Sequence, residues 1–159
     1  MAGSTSKKVV IYRFDRPPLP GFVNPSHYLL EQGVELISPQ GALTVVPYQE
    51  VKAVCFVRDF EGPELPSERR LFASRPKSEG LWLRMRLRDG EFQDGLLPND
   101  LLALNAAGFL VLPPDATANT QRMFIPKAAL TDLKVLGVVG TPLRRRQQPP
   151  AEEQITLFE

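Results

Sequence analysis

The sequence predicts a mainly β fold: two tandem five-stranded small β-barrels followed by a flexible C-terminal tail. Three observations predict it: short alternating apolar runs, an internal repeat, and a change of composition near residue 141. Alternation with a period of two residues indicates half-buried strands, because successive side chains of a strand point to opposite faces. We assign residues 7–57 to the first barrel, 58–80 to a linker, 81–140 to the second barrel and 141–159 to the tail.

Each half opens with an alternating strand that ends at a turn. The apolar positions are Val10, Tyr12 and Phe14 in the first half, alternating with Ile11 and Arg13, and Leu83, Met85 and Leu87 in the second. The turns are Asp15-Arg16-Pro17-Pro18 and Asp89-Gly90. Asp-Gly is a strong signal for a two-residue hairpin loop, in which both central residues need positive φ. A second strand then enters through Gly21 in one half and through Gly95 in the other.

The later strands repeat as well. Segments 33–39 and 108–113 both begin with Gly and end with Pro, and segments 44–47 and 123–126 both end with Pro. After that Pro the halves align without a gap. The alignment places Val51, Val54 and Phe56 opposite Leu130, Leu133 and Val135. We therefore expect Val51 and Leu130 to occupy equivalent buried positions. A single helical turn should precede each of them, and the closing strands should lie at 53–57 and 133–136.

These features resemble the small barrels of the Sm-like and SH3-like superfamily. The segment from Leu83 to Asp94 resembles the first Sm hairpin, and the segment from Phe124 to Leu130 resembles the stretch with the last turn and strand. The chain departs from that pattern at Pro126-Lys127, where Sm proteins carry an Arg-Gly pair, and it lacks a counterpart to their uridine-holding Asp and Asn. The resemblance implies the barrel fold more than RNA binding. The tandem arrangement is similar to bacterial proteins with paired small barrels.

Composition excludes several classes of protein. A net charge of +1 gives no bulk attraction to nucleic acid or to an anionic membrane. The single cysteine, Cys55, excludes a disulfide within the chain, and with the single histidine, His27, it excludes a zinc site of the usual Cys/His type. No apolar run reaches the ~20 residues that span a bilayer, and the N-terminus lacks a signal-peptide core. We expect a cytoplasmic, non-enzymatic protein without a cofactor, with His27 in a loop, Cys55 in the core and Leu71-Phe72 of the linker docked on a barrel.

The second half carries a candidate nucleic-acid surface. Trp82, Arg84, Arg86 and Arg88 would share one strand face, with neighbouring positions about 6–7 Å apart. Such a face could follow a phosphate backbone and stack a base. The alternative interpretation is a solvated strand face whose arginines pair with carboxylates across the ladder.

The tail carries a candidate protein-binding motif. Its first part, 141–153, is charged and rich in proline and cannot bury a core. The segment Gln154-Ile155-Thr156-Leu157-Phe158 follows, and it closely resembles the pentapeptide by which bacterial replication and repair proteins dock on the β sliding clamp. The resemblance implies that Leu157 and Phe158 enter an apolar cleft while Gln154 hydrogen-bonds at a second subsite.

A second interpretation of the tail stays open. Ile155, Leu157 and Phe158 could instead fold back as an edge strand and cover an open barrel edge. Our leading hypothesis is an adaptor whose barrels engage a protein partner and whose tail binds a sliding clamp. The second is an Sm-like nucleic-acid-binding protein, and an unrecognised enzyme ranks third. The partner's identity and the oligomeric state are left open.

Overall fold

A computed structural model of the chain describes residues 6–60, 70–100, 102, 104–115 and 119–140. This part of the protein is mainly β, with curled sheets that form half-barrels. The strands are β1 (Lys7–Arg13), β2 (Arg16–Val23), β3 (Gly33–Ile37), β4 (Leu43–Pro47), β5 (Val51–Val57), β6 (Gly80–Leu87), β7 (Phe92–Leu97), β8 (Gly108–Val111), β9 (Thr120–Pro126) and β10 (Leu130–Val139). None of the described segments forms a helix that is long and apolar enough to cross a membrane.

In the described part of the chain the strands form two antiparallel sheets, and the larger one crosses the boundary between the halves. One has the order β4-β3-β2-β1-β5-β9-β8, and the other has the order β10-β6-β7. Leu96 and Leu112 exchange two backbone hydrogen bonds of 2.9 and 3.0 Å, and this bridge connects β7 to the β8 side of the first sheet. The halves are therefore not two separate sheets, because β5 of the first half pairs with β9 of the second.

The internal repeat is visible in the strand registers. Gly33 lies opposite Pro47, and Gly108 lies opposite Pro126. A Cβ atom on either glycine would lie within 2.4 Å of a carbonyl oxygen of the partner strand (2.1 and 2.3 Å), so a side chain is excluded at both positions. The same relation holds earlier in each half, where Gly21 lies against Leu36 and Gly95 against Val111. The recurring glycines thus mark equivalent close approaches between strands.

The core has two parts that meet at β5. Val54 and Phe56 point into the first part together with Val9 and Ile11 of β1. The intervening residues Ala53, Cys55 and Val57 point into the second part, with Leu83, Met85 and Leu87 of β6. Strand β9 divides in the same way, since Phe124 enters the first part while Met123 and Ile125 enter the second. Cys55 is fully buried, as predicted.

The buried face of β1 differs from the prediction. Val9 and Ile11 are fully buried, while Val10, Tyr12 and Phe14 are partly buried against the second core. The registers explain the offset: Ile11 lies opposite Val54, as Met85 lies opposite Leu133. The equivalents of Leu83 and Met85 are therefore Val9 and Ile11. Val10, Tyr12 and Phe14 are apolar because the second half covers the other face of β1.

The turns also differ in detail. The first turn is at Phe14-Asp15, where Asp15 has φ 58°, and Arg16-Pro17-Pro18 already belongs to β2. These prolines fit a strand segment that pairs with β1 on one side, because proline has no N–H to donate. In the second turn, Gly90 has φ 89° and its N–H donates to Leu87 O, so the loop has three residues rather than two.

The remaining expectations agree with the structure in most respects. Lys127–Ala129 forms a single 3-10 turn, and the equivalent residues 48–50 form a turn. Both closing strands occur and extend beyond the predicted segments. Val51 is fully buried, whereas Leu130 at the equivalent position is only partly buried against the second core. In the linker, Phe72 docks on the second half and Leu71 stays exposed.

We expect Phe124→Ala to lower the free energy of unfolding by about 3–5 kcal/mol, because it removes a fully buried ring. Phe124 lies in the second half of the sequence but packs in the first part of the core. Urea unfolding followed by Trp82 fluorescence and by circular dichroism should therefore shift to the same lower midpoint. The control is Phe92→Ala, at an exposed ring, which should change the midpoint little. A shift in only one signal would contradict the coupling.

Candidate partner-binding surfaces

The predicted arginine face is built around a buried carboxylate. Leu83, Met85 and Leu87 are buried on one side of β6, so Trp82 and Arg84 lie on the other. Asp94 is the direct cross-strand partner of Arg84 on β7 and is 0% exposed. The Arg84 guanidinium donates from Nε to Asp94 Oδ1 at 2.7 Å and from Nη2 to Oδ2 at 2.9 Å. These hydrogen bonds raise the pKa of Arg84.

The same carboxylate fixes the linker. Asp94 Oδ2 accepts from Trp82 Nε1 at 3.3 Å and from the backbone N–H of Phe72 at 3.0 Å. The Asp94 N–H donates to Arg70 O at 2.8 Å, and the Phe72 ring packs edge-on against Trp82. A buried carboxylate needs this degree of hydrogen bonding to offset the loss of water. The Trp82–Arg84 face is thus occupied by intramolecular contacts.

The other two arginines also contact the protein. The Arg86 guanidinium lies 5.8 Å from the centre of the exposed Phe92 ring. Arg88 lies beyond the end of β6, where its guanidinium lies 4.3 Å from the Phe14 ring and donates to Gln49 O of the first half. The cation–π contact and the hydrogen bond of Arg88 therefore join the two halves. Arg86 and Arg88 are both exposed, but Arg88 is held by its two contacts with the first half.

A cluster of charges also joins the halves. Lys52, on β5, donates to Asp89 Oδ2 at 2.6 Å and contacts Glu91. Glu91 also pairs with Arg70 of the linker. Burial acts to raise the pKa of Asp89, but hydrogen bonds from Lys52 and from the Glu91 backbone, with the charge of Lys52, outweigh it and lower that pKa. The hairpin loop of the second half is thereby fixed to the first half.

An apolar groove lies where the halves meet. A cavity of about 170 Å³ is lined by residues of both halves, among them Tyr28, Leu29, Leu110 and Phe124. A neighbouring cavity of about 390 Å³ shares Leu29 and extends to Tyr48. Burial raises the pKa of Tyr28 to about 12, so its hydroxyl stays protonated. The groove offers apolar contact and a few hydrogen-bonding groups.

The largest exposed aliphatic side chains on strands lie on β4 and β10. On β4, Leu43 is 64% exposed and Val45 is 42% exposed. On β10, Val135 is 54% exposed, and Leu136 and Val138 are exposed as well. Each of these strands has one neighbour in the described sheets, β3 and β6 respectively. Both strands therefore combine apolar side chains with an open backbone edge, which is the usual setting for pairing with another chain.

The potential catalytic groups have structural settings. His27 is exposed in a loop, as predicted, and its Nε2 accepts from the Asn24 side-chain amide at 2.9 Å. Within the described part of the chain, no three His, Cys, Asp or Glu side chains are placed to hold a metal ion.

The predicted clamp-binding residues Gln154, Ile155, Leu157 and Phe158 lie outside the described residues.

Asp94, Lys52 and Arg70 were not among the site residues predicted from the sequence. Asp94 carried a signal, because a carboxylate ten residues after Arg84 and across a hairpin turn is a candidate cross-strand partner. The two-residue loop that we predicted gives Arg84 a different partner, Gly95. Lys52 and Arg70 carried no such signal, since their partners come from distant parts of the chain.

The chain belongs to a family of unknown function, DUF6982, whose model matches residues 5–137. The match covers both halves of the repeat and ends within β10. Searches of curated proteins and of solved structures give no significant match. The family match thus reaches all ten strands of the described residues but does not indicate an activity.

Two neighbours on β6 provide a matched test of the Asp94 cluster. We expect Arg84→Gln to lower the free energy of unfolding by about 2–3 kcal/mol, because it leaves the buried Asp94 carboxylate without its charged donor. Arg86→Gln removes only an exposed contact with Phe92 and should cost less than about 1 kcal/mol. Urea unfolding measures both. Equal effects would contradict the role assigned to Asp94.

The pH dependence tests the Asp89 cluster. Since the folded protein lowers the pKa of Asp89 below its ordinary 3.8, the ionised carboxylate stabilises the fold above that pH. This contribution is lost as the pH falls through the folded pKa. Asp89→Asn should therefore destabilise the protein at pH 7 and have a smaller effect in acid. Asp132→Asn, at a surface pair 3.9 Å from Lys134, is the control for thermal melts at both pH values.

Proposed function

We propose that this protein is a non-enzymatic adaptor in which two Sm-like small barrels form a rigid body and the C-terminal tail docks on a bacterial DNA sliding clamp. The observation that carries the proposal is the segment Gln154-Ile155-Thr156-Leu157-Phe158, which matches the clamp-docking pattern at every position.

The strand order supports the paired barrels. The first half has the order β4-β3-β2-β1-β5. The second half follows the same sequence of neighbours, β10-β6-β7 and then, through the Leu96–Leu112 bridge, β8 and β9. In each half the fifth strand thus pairs with the first, which is the order expected of the Sm-like and SH3-like barrels that the sequence resembles.

The attachment point supports a docking role for the tail. Strand β10 ends at Val139, and the following Gly140 is exposed, with open space where a side chain would begin. Thirteen residues, 141–153, separate this surface from Gln154, and at full extension they can span at most about 45 Å. A partner on Leu157 and Phe158 would therefore be held near the barrels without having to contact them.

The contacts and the burial of the ionisable groups support the proposal of a binding protein rather than an enzyme. The Asp94 carboxylate is engaged by Arg84, Trp82 and a backbone N–H. Cys55 has no exposed surface, whereas a nucleophilic thiol must be accessible. These groups explain stability and do not form a nucleophile, base and orienting group around one cavity.

The nucleic-acid alternative is supported less well. It needs Trp82 as a stacking platform and the arginines as phosphate donors. Trp82 instead packs against Phe72, and Arg84 is paired with Asp94. Arg88 contacts Phe14, which leaves Arg86 as the most available cation of the set. One such cation adds little affinity in a protein whose net charge is +1.

We expect a peptide of residues 151–159 to bind a bacterial sliding clamp with micromolar affinity, roughly −8 kcal/mol. The apolar side chains of Leu157 and Phe158 contribute about 1.5–3 kcal/mol each, which offsets the cost of ordering the segment. Isothermal titration calorimetry measures the binding. Changing both Leu157 and Phe158 to Ala should abolish it.

The full chain provides the controls. The variant with Glu152→Gln and Glu153→Gln keeps the apolar anchors and should bind the clamp as tightly as the unmodified chain. The change of Leu157 and Phe158 to Ala should leave the melting temperature unchanged if the tail serves only as a docking motif. A peptide that fails to bind, together with a lower melting temperature of that variant, would replace docking by the fold-back interpretation.

A further inference from the structure

The ten strands of the described segments form one continuous path with two open ends. The seven-stranded sheet leads from β4 to β8, and the bridge between Leu112 and Leu96 leads on to the three-stranded sheet, which ends at β10. Every strand between the ends has neighbours on both sides in this path. The described part of the chain therefore has open backbone edges at β4, the fourth strand of the first half, and at β10, the fifth strand of the second half.

The junction inside the chain shows how such edges can pair. Strand β5 is the fifth strand of the first half, and it pairs antiparallel with β9, the fourth strand of the second half. In its register, Val54 lies opposite Phe124 and Phe56 lies opposite Arg122. The protein thus already contains one pairing of a fifth strand with a fourth strand. The two open edges are a fifth and a fourth strand that lack this same pairing.

The repeat specifies which residues would meet. The registers of β1 with β5 and of β6 with β10 make Leu133 and Val135 the equivalents of Val54 and Phe56. The registers of β3 with β4 and of β8 with β9 identify the equivalent residues of β4 and β9. Val45 is the equivalent of Phe124, and Leu43 is the equivalent of Arg122. A pairing of β10 with β4 would therefore place Leu133 opposite Val45 and Val135 opposite Leu43.

These positions match the exposed apolar side chains on the two edges. Leu43, Val45 and Val135 are all exposed, and Leu133 is partly buried against the second core. Their counterparts Val54 and Phe124 are fully buried in the internal junction. Aliphatic side chains that face each other across a ladder stabilise it, and here they would leave solvent as the backbone edges pair.

We propose that the protein assembles with copies of itself head to tail, with β10 of one copy pairing with β4 of the next. Because the two edges differ, the contact is heterologous: each copy contributes β10 to one contact and β4 to the other. The assembly closes into a ring when the successive rotations complete a circle. The contact repeats the β5–β9 junction, so the assembly continues the order of strands that the chain already contains. The proposal is independent of clamp docking.

Two blocked variants of the full chain test the proposal. The first carries Leu43→Lys and Val45→Lys on β4, and the second carries Val135→Lys on β10. Buried lysines on a paired edge oppose association, while an exposed edge strand tolerates them. Leu71→Lys, at an exposed apolar residue outside both edges, is the control. Sedimentation velocity and light scattering over a range of concentrations give the mass of each species.

The mixture of the two blocked variants distinguishes between the possible contacts. The unmodified protein and Leu71→Lys should form oligomers, and each blocked variant alone should be monomeric. Mixed together, they should form a heterodimer and nothing larger, because one supplies a free β10 and the other a free β4. A monomeric unmodified protein, oligomers formed by either blocked variant alone, or a mixture that stays monomeric would overturn the proposal. Circular dichroism of each variant confirms that it is folded.

Discussion

Strand β5 has core on both of its faces, and the arrangement of both halves depends on it. Most strands of small antiparallel barrels have one face in solvent, which allows each barrel to fold as a unit. Here Val54 and Phe56 complete one core, and Ala53 and Cys55 contribute to the other. A domain of about 60 residues has little apolar surface to bury alone, so a shared strand adds stability that neither half could supply.

The shared strand explains which parts of the fold could be predicted from sequence. The number of strands, the recurring glycines and the final turn follow from local chemistry, and they could be identified without the structure. The inward face of β1 could not, because Val10 and Tyr12 are covered by the other half and therefore look like core residues of their own barrel. An alternating pattern identifies a strand. When both faces of the strand are apolar, however, the sequence no longer shows which face packs in which part of the core.

The register of the β6–β7 hairpin also could not be predicted from the sequence, and the contacts of the predicted arginine face depend on it. Asp89-Gly90 marked the position of the turn, but the loop contains three residues, with positive φ at Gly90. A change of one residue in loop length changes every cross-strand pair and moves each side chain of β7 to the opposite face relative to β6. The Arg84–Asp94 pair depends on that register. The contacts of Lys52 and Arg88 depend in addition on how the halves pack, which no local pattern encodes.

The position of Cys55 has a consequence for how motion in this fold can be observed. Its thiol is fully buried, and its backbone lies between Val10 of β1 and Met123 of β9. Its side chain points into the second part of the core, so a water-soluble thiol reagent can reach the sulfur only when that part opens, because the reactive species is the solvated thiolate. Since the chain has one cysteine, the rate of its chemical labelling reports the opening of this part of the core without a contribution from any other site. The labelling rate of Cys55 thus measures how often the part of the core that joins the two halves opens.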